Sequence, residues 1–99
     1  MDIAYSVNGV PIRLTYERWY HIVENHDDMA SHFHDVLETI ENPEFITRGN
    51  RGTLKATGIW HGQDGWFWST ANCPGPMGFV ITGYILQARP KGEIIWRRP

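Results

Sequence analysis

The sequence predicts an α+β fold: a short N-terminal β-hairpin and two amphipathic helices packed on one face of a four- to five-stranded, mainly antiparallel sheet. Helical periodicity is confined to the first half of the chain, and from residue 44 onward short β-type runs alternate with glycine-rich turns. Two helices followed by a meander of strands is typical of α+β proteins. The 99 residues leave room for one hydrophobic core, so residues 1–99 are predicted to form a single domain.

The hairpin is predicted from two short apolar runs, Ile3 to Val7 and Val10 to Leu14, which flank Asn8-Gly9. Asn-Gly favours a type I′ turn, because both residues tolerate positive φ. Pro11 has no N–H to donate to a strand ladder. We therefore expect the second run to be an edge strand or a very short one.

The first helix is predicted over residues 16–25, with Thr15 as its N-cap. Its apolar positions recur at helical spacing and are Trp19, Ile22, Val23 and His26. His26 therefore belongs to the apolar stripe and is expected to face the sheet. His21 is expected on the opposite side of the helix, among polar and charged residues.

A second helix is predicted to follow the N-cap pair Asp27-Asp28 and to end at Asn42-Pro43, because the residue before proline is pushed out of the α region. Its apolar positions are Met29, Phe33, Val36, Leu37 and Ile40. The strands predicted after it are Glu44–Arg48, Thr53–Trp60, Trp66–Asn72, Phe79–Leu86 and Glu93–Arg97.

The net charge is −2, whereas a free-standing nucleic-acid-binding protein is usually strongly basic. This average conceals an asymmetry. Residues 1–44 carry nine acids and two bases, a net −7, whereas residues 45–99 carry seven bases and two acids, a net +5. The pattern predicts an acidic helical layer beside a basic sheet layer. The near-neutral net charge therefore does not exclude RNA: if the chain binds RNA, binding is expected on the basic half alone and should weaken with added salt.

The compartment and the cofactor content are predicted from what the sequence lacks. The single cysteine, Cys73, cannot form an intramolecular disulfide, and the first 25 residues show no signal-peptide pattern. No apolar run approaches the roughly 20 residues that span a bilayer. These features favour a cytoplasmic protein without a membrane partner. No cysteine pair or HExxH spacing supports a metal site, and we expect no cofactor.

Four segments resemble phage-associated nuclease domains of the barnase, EndoU, colicin and RelE-like (BECR) toxin class. LTYERWYHIVENH at 14–26 and TIENPE at 39–44 are similar to the opening of these domains. GFVITGY at 78–84 and GEIIW at 92–96 resemble their end. The resemblance implies a small toxin-type endoribonuclease that cleaves RNA without a metal and is paired with an antitoxin or immunity protein.

The resemblance also implies the site residues. By position it assigns the family's helix histidines to His21 and His26, the phosphate-binding cations to Arg48 and Lys55, and the late-strand hydroxyl to Thr82, with Tyr84 beside it. These residue types suit the reaction, which needs a base for the 2′-hydroxyl, an acid for the leaving 5′-oxygen and cations for the phosphorane. Alternation along the strand predicts that Val80, Thr82 and Tyr84 share one face.

Each of these residues also has a structural interpretation. His26 can be a core histidine and His21 a solvated partner of Glu17 or Glu24. Arg48 and Lys55 can be strand-edge charges, and the two hydroxyl residues fit ordinary β-propensity. The alternative function is a catalytically inactive domain of the same fold that acts as a protein-interaction module. The lack of an ionisable residue in 66–72 and the acidic helical layer favour it.

Overall fold

The computed structural model describes residues 2–59, 66–72, 76–88 and 91–99, and of residues 66–72 the backbone alone. The chain is α+β, as predicted. Its helices are α1 (Tyr16–Asn25) and α2 (Phe33–Glu41), and its strands are β1 (Asp2–Tyr5), β2 (Pro11–Leu14), β3 (Phe45–Arg48), β4 (Thr53–Ile59), β5 (Trp66–Asn72), β6 (Gly78–Leu86) and β7 (Ile94–Arg97). Short 3₁₀ turns cover Asp27–Met29 and Asn50–Gly52. Trp60, at the end of a predicted strand, and Cys73 lie outside the described residues.

The strands form one sheet of seven, in the order β1-β2-β6-β5-β4-β3-β7, rather than the four or five predicted. The difference arises at β2, which pairs in parallel with β6 through Ile12 with Gly78 and Arg13 with Phe79. This pairing satisfies backbone groups along an edge of β2, so the hairpin extends the sheet instead of standing apart from it. The other neighbouring strands pair antiparallel, so the prediction of a mainly antiparallel sheet is confirmed.

The hairpin joins β1 to β2, but its turn is not the predicted type I′. The C=O of Ser6 accepts a hydrogen bond from the N–H of Gly9 at 2.8 Å, which makes Val7 and Asn8 the central residues of the turn. Gly9 follows in the left-handed region, with φ of 78°, whereas Asn8 does not have positive φ. A turn followed by a left-handed glycine is a longer hairpin connection, and it shortens both strands relative to the prediction.

The first helix matches its prediction and the second begins later than predicted. The Oγ1 of Thr15 caps α1 by accepting from the N–H of Arg18 at 3.1 Å. The predicted capping pair Asp27-Asp28 instead opens a 3₁₀ turn that buries Met29 completely. Because the chain must turn tightly to place Met29 in the core directly after α1, α-helical bonding resumes only at Phe33. α2 then ends just before Asn42-Pro43, as predicted.

One hydrophobic core ties both helices to the sheet. Its buried residues come from α1, α2, the 3₁₀ turn between them and three strands: Ala4, Ile12, Leu14, Ile22, Met29, Val36, Ile40 and Val80. Gly58 of β4 shows which face of the sheet α2 covers, because a Cβ built there would lie 3.2 Å from the Oγ1 of Thr39. Side chains alternate along a strand, so Lys55 and Thr57 face the opposite side. We call that side, away from α2, the outer face.

Two threonines on the outer face are buried, and among the described residues their hydroxyls are unpaired. Thr47 and Thr57 are each 0% exposed, and neither Oγ1 has a hydrogen-bond partner among the described residues. Burying an unpaired hydroxyl costs about 1–3 kcal/mol. Valine has nearly the same shape without the hydroxyl. We therefore expect Thr57→Val to raise the free energy of unfolding by about 1 kcal/mol in urea denaturation.

Thr39 of α2 supplies the matched control for this substitution. It is also buried, but its Oγ1 donates to the C=O of Asp35 at 2.7 Å. Thr39→Val removes a satisfied hydrogen bond and should lower the free energy of unfolding by about 0.5 kcal/mol or more. Equal effects of the two substitutions would contradict the cost assigned to the Thr57 hydroxyl.

Candidate functional site

The end of α1 places His26 against β6. The N–H of His26 still donates to the C=O of Ile22 at 2.8 Å, but its φ of −139° and ψ of 77° take the chain out of the helix. Because β2 pairs with β6 only near Gly78, α1 and the following 3₁₀ turn lie against β6 beyond that point. There the half-buried imidazole stacks on the ring of Tyr84, with centroids 5.4 Å apart and planes inclined by 27°. His26 faces the sheet, as its place in the apolar stripe predicted.

The Tyr84 phenol beside His26 is held in its protonated form. Burial raises the pKa of Tyr84 above its ordinary value of 10.0, because the phenolate would lose hydration. The group therefore keeps its proton throughout the neutral range. The pair brings together an imidazole ring and a phenolic hydroxyl that can donate a hydrogen bond.

Strand register places Lys55, Thr82 and Tyr84 together on the outer face. Thr70 is the Cα partner of both Lys55 and Thr82, so the three residues form one row across β4, β5 and β6. Neighbouring strands lie about 4.8 Å apart, which puts the Cα atoms of Lys55 and Thr82 about 10 Å apart. Tyr84 is two residues beyond Thr82 and lies on the same face in the next row. The side chains of Lys55, Thr82 and Tyr84 are partly exposed.

Four of the six predicted site residues therefore lie near one another. His26 contacts Tyr84, while Thr82 and Lys55 occupy the adjacent row of the outer face. We call His26, Lys55, Thr82 and Tyr84 the histidine cluster. It combines a proton acceptor, a protonated phenol, an aliphatic hydroxyl and an ammonium group. Groups of these kinds can transfer protons and stabilise an anion.

A β-bulge at Ile81 sets which residues of β6 face outward. Val80 pairs with Ala71 and Thr82 pairs with the adjacent Thr70, so Ile81 is the extra residue on β6. The prediction that Val80 shares a face with Thr82 and Tyr84 is wrong, because the bulge shifts the alternation by one residue. Val80 is buried in the core, and Ile85 beyond the bulge also packs against it. Thr82 and Tyr84 therefore lie on the outer face.

The structure does not bring His21 or Arg48 to the histidine cluster. His21 is exposed, with its Nδ1 3.9 Å from a carboxylate oxygen of Glu24. Arg48 lies at the exposed end of β3, with its Nε 3.5 Å from an oxygen of Glu93. Arg48 pairs with Leu54, the chain neighbour of Lys55, so the two cations lie on opposite faces of the sheet.

Two arginines that sequence reasoning did not single out adjoin the outer face. Arg13 and Arg18 line a cleft of about 200 Å³ together with Thr15, Phe79 and Val80. A sequence signal for Arg13 existed, because it stands between the apolar Ile12 and Leu14 and alternation turns it away from the core. The net charge summed over residues 1–44 concealed this arginine. We call this feature the arginine cleft.

A larger groove on the α2 side of the sheet is acidic. It has a volume of about 860 Å³, and Asp35, Glu38, Glu41 and Glu44 contribute carboxylates to its lining. Arg98 is the cation among its described lining residues, and its guanidinium lies 3.5 Å from an oxygen of Glu44. The groove therefore keeps a net negative charge. We call it the acidic groove.

The described residues contain no group of three His, Cys, Asp or Glu side chains placed to hold a metal ion. Of the helices that the structure describes, none combines the length and apolar character that a membrane crossing requires. No protein-family model, curated protein or solved structure matches the chain.

Proposed function

We propose that this chain is a small toxin-type endoribonuclease of the BECR class, acting in the cytoplasm, that cleaves RNA by general acid/base chemistry without a metal ion. One observation carries the proposal: His26 stacks on Tyr84, next to the row that holds Thr82 and Lys55. These are four of the residues that the resemblance to the class singled out. An antitoxin or immunity protein is the expected protein partner.

In the proposed reaction the proton acceptor is His26. Its neutral imidazole takes the proton of an RNA 2′-hydroxyl while that oxygen attacks the adjacent phosphorus. The bond from phosphorus to the 5′-oxygen breaks, and Tyr84 donates its proton to the leaving oxygen. The products are a 2′,3′-cyclic phosphate and a 5′-hydroxyl. Proton exchange with water returns His26 and Tyr84 to their starting states.

In this mechanism Lys55 and Thr82 contact the phosphate and take no part in proton transfer. The Lys55 ammonium offsets the negative charge that develops on the phosphorane, and the Thr82 hydroxyl donates to a non-bridging oxygen. Such donors accelerate the reaction when they are fixed in place before the charge develops. Both residues stand on paired strands of the sheet, which fixes their backbone positions. His21 and Arg48 have no part in this mechanism.

The test is incubation of the purified chain with mixed-sequence single-stranded RNA in EDTA. We expect cleavage that is unaffected by the chelator, with products that end in 2′,3′-cyclic phosphate. These ends are identified by their resistance to phosphatase until acid opens the ring. Products with 5′-phosphate ends, or cleavage that EDTA abolishes, would overturn the mechanism, and intact RNA at all protein concentrations would overturn the function.

The acidic groove supports a second candidate function, the catalytically inactive interaction module. Its carboxylates outnumber the single arginine of its described lining, and Trp96 and Pro43 add apolar surface. A groove with this charge is complementary to a lysine- and arginine-bearing segment of a partner protein such as an antitoxin. On this hypothesis the chain binds the partner and leaves RNA intact.

Binding of a labelled lysine/arginine peptide, followed by fluorescence anisotropy, tests the second candidate. Glu38→Gln and Glu41→Gln keep the acceptor oxygens that receive hydrogen bonds from Asn42 and from the Tyr5 N–H, but they remove the charge. We expect each to weaken binding about threefold to tenfold. Glu24→Gln, on the exposed side of α1, is the matched control. Equal losses in all three variants would contradict docking in the groove.

A further inference from the structure

The arginine cleft lies where β2 passes into α1. Ile12 and Leu14 of β2 are buried in the core, so the intervening Arg13 is turned to the outer face. Thr15 then caps α1, and Arg18 stands in the first helical turn. The parallel pairing of β2 with β6 sets Arg13 directly beside Phe79. The cleft therefore depends on the joining of the hairpin to β6.

The two guanidinium groups of the cleft are available to a ligand. Arg13 and Arg18 are both exposed, and neither forms a salt bridge with a described residue. Two like charges that line one small cleft repel each other, and a bound anion relieves this repulsion. Guanidinium groups bind phosphate oxygens in bidentate geometry, which favours a phosphate over a simple halide ion.

Phe79 adds a feature that a site for free phosphate does not need. The ring is 37% exposed although the strand residues on either side of it, Gly78 and Val80, are buried. An exposed aromatic ring beside cations is the combination with which proteins hold unpaired nucleotides, since the ring stacks on the base and the cations hold the backbone. The lining thus fits a nucleotide of a single strand.

The cleft and the histidine cluster also share strand β6. Phe79 and Thr82 belong to the same strand and both face outward, on either side of the bulge at Ile81. Three residues of strand span about 10 Å, so a strand of RNA held at Thr82 passes the cleft within a few nucleotides. We propose that the arginine cleft is a subsite for a nucleotide flanking the scissile bond, with Arg13 and Arg18 on its phosphate and Phe79 on its base.

This subsite rests on the proposed ribonuclease function, so binding is measured separately from cleavage. The His26→Ala protein is titrated with a short fluorescein-labelled single-stranded RNA, and anisotropy is recorded over about 50–200 mM salt. In this background we expect Arg13→Gln and Arg18→Gln each to weaken binding about fivefold to tenfold. The double variant should reduce the slope of log affinity against log salt by about 1.4, the value for two lost phosphate contacts on single strands.

The matched control is Arg97→Gln, which removes one positive charge from β7 at the far edge of the sheet. It should weaken binding less than twofold. Phe79→Ala should weaken binding about tenfold with an unchanged salt slope, because stacking releases no counterions. Thermal unfolding of each variant checks that these exposed substitutions leave the fold intact.

The outcomes separate the subsite from the function. If the wild-type chain cleaves RNA but the arginine variants bind like Arg97→Gln, the subsite is wrong and the ribonuclease stands. If RNA stays intact while binding falls only in the cleft variants, the cleft is a nucleotide-binding site and the ribonuclease function is wrong. Competition distinguishes the ligands. If inorganic phosphate displaces the RNA as effectively as a dinucleotide does, the proposed role of Phe79 is wrong.

Discussion

Replacing His26 with alanine is expected to lower kcat/KM for RNA cleavage by about 10²- to 10⁴-fold, the usual contribution of one positioned proton-transfer group. The imidazole ring of His26 stacks on the ring of Tyr84. In the proposed mechanism its loss removes the base that accepts the 2′-hydroxyl proton, a role assigned to neither Lys55 nor Thr82. Initial rates on a fluorogenic RNA in EDTA measure the effect.

His21→Ala is the matched control, because it removes the same kind of side chain five residues before His26, within α1. His21 is exposed and interacts with Glu24 at the long distance of 3.9 Å. We expect kcat/KM to stay within about twofold of the wild-type value. Similar losses in both variants would show that His26 acts through the fold of α1 and not through chemistry. A wild-type rate in His26→Ala would remove His26 from the mechanism.

Ile22→Ala is expected to lower the free energy of unfolding by about 2–5 kcal/mol. Ile22 is 2% exposed and is the buried residue of α1, where it packs into the core shared with β2, α2 and β6. Truncation removes apolar surface from the core and leaves a cavity. Domains of this size are stable by about 5–15 kcal/mol, so the loss is a large part of the total. Urea denaturation followed by circular dichroism measures it.

Tyr20→Ala tests whether burial is the cause of this loss. Tyr20 belongs to the same helix but is 70% exposed. Its truncation should change the free energy of unfolding by less than about 0.5 kcal/mol, as is usual for surface substitutions. A loss at Tyr20 comparable to that at Ile22 would contradict burial as the cause, since alanine has a higher helix propensity than either residue.

Local sequence predicted the elements whose signals lie within a few residues. The bounds of α1 follow from the Thr15 cap and from the spacing of Trp19, Ile22 and His26, since both act within one or two helical turns. The same periodicity pointed His26 toward the sheet. The start of α2 was missed because the apolar spacing of Met29 and Phe33 fits a helix, whereas burial of Met29 requires a tighter turn.

The candidate site was predictable only in part. The sequence named His26, Lys55, Thr82 and Tyr84, but it also named His21 and Arg48, which stand apart from them. Charge totals could not reveal Arg13 and Arg18, because a sum over half the chain discards the position of each residue. Neither the bulge at Ile81 nor the pairing of Arg13 with Phe79 has a signal in the residues that form it.

The sequence by itself determined the α+β class, the first helix, the existence of the hairpin and the antiparallel character of the later strands. These depend on periodicity, caps and turn residues, which act between near neighbours. Only the tertiary structure decided that the hairpin joins β6 and that a bulge turns Thr82 and Tyr84 outward beside His26. Strand partners lie up to dozens of residues apart, and their pairing is settled by which surfaces bury the core together.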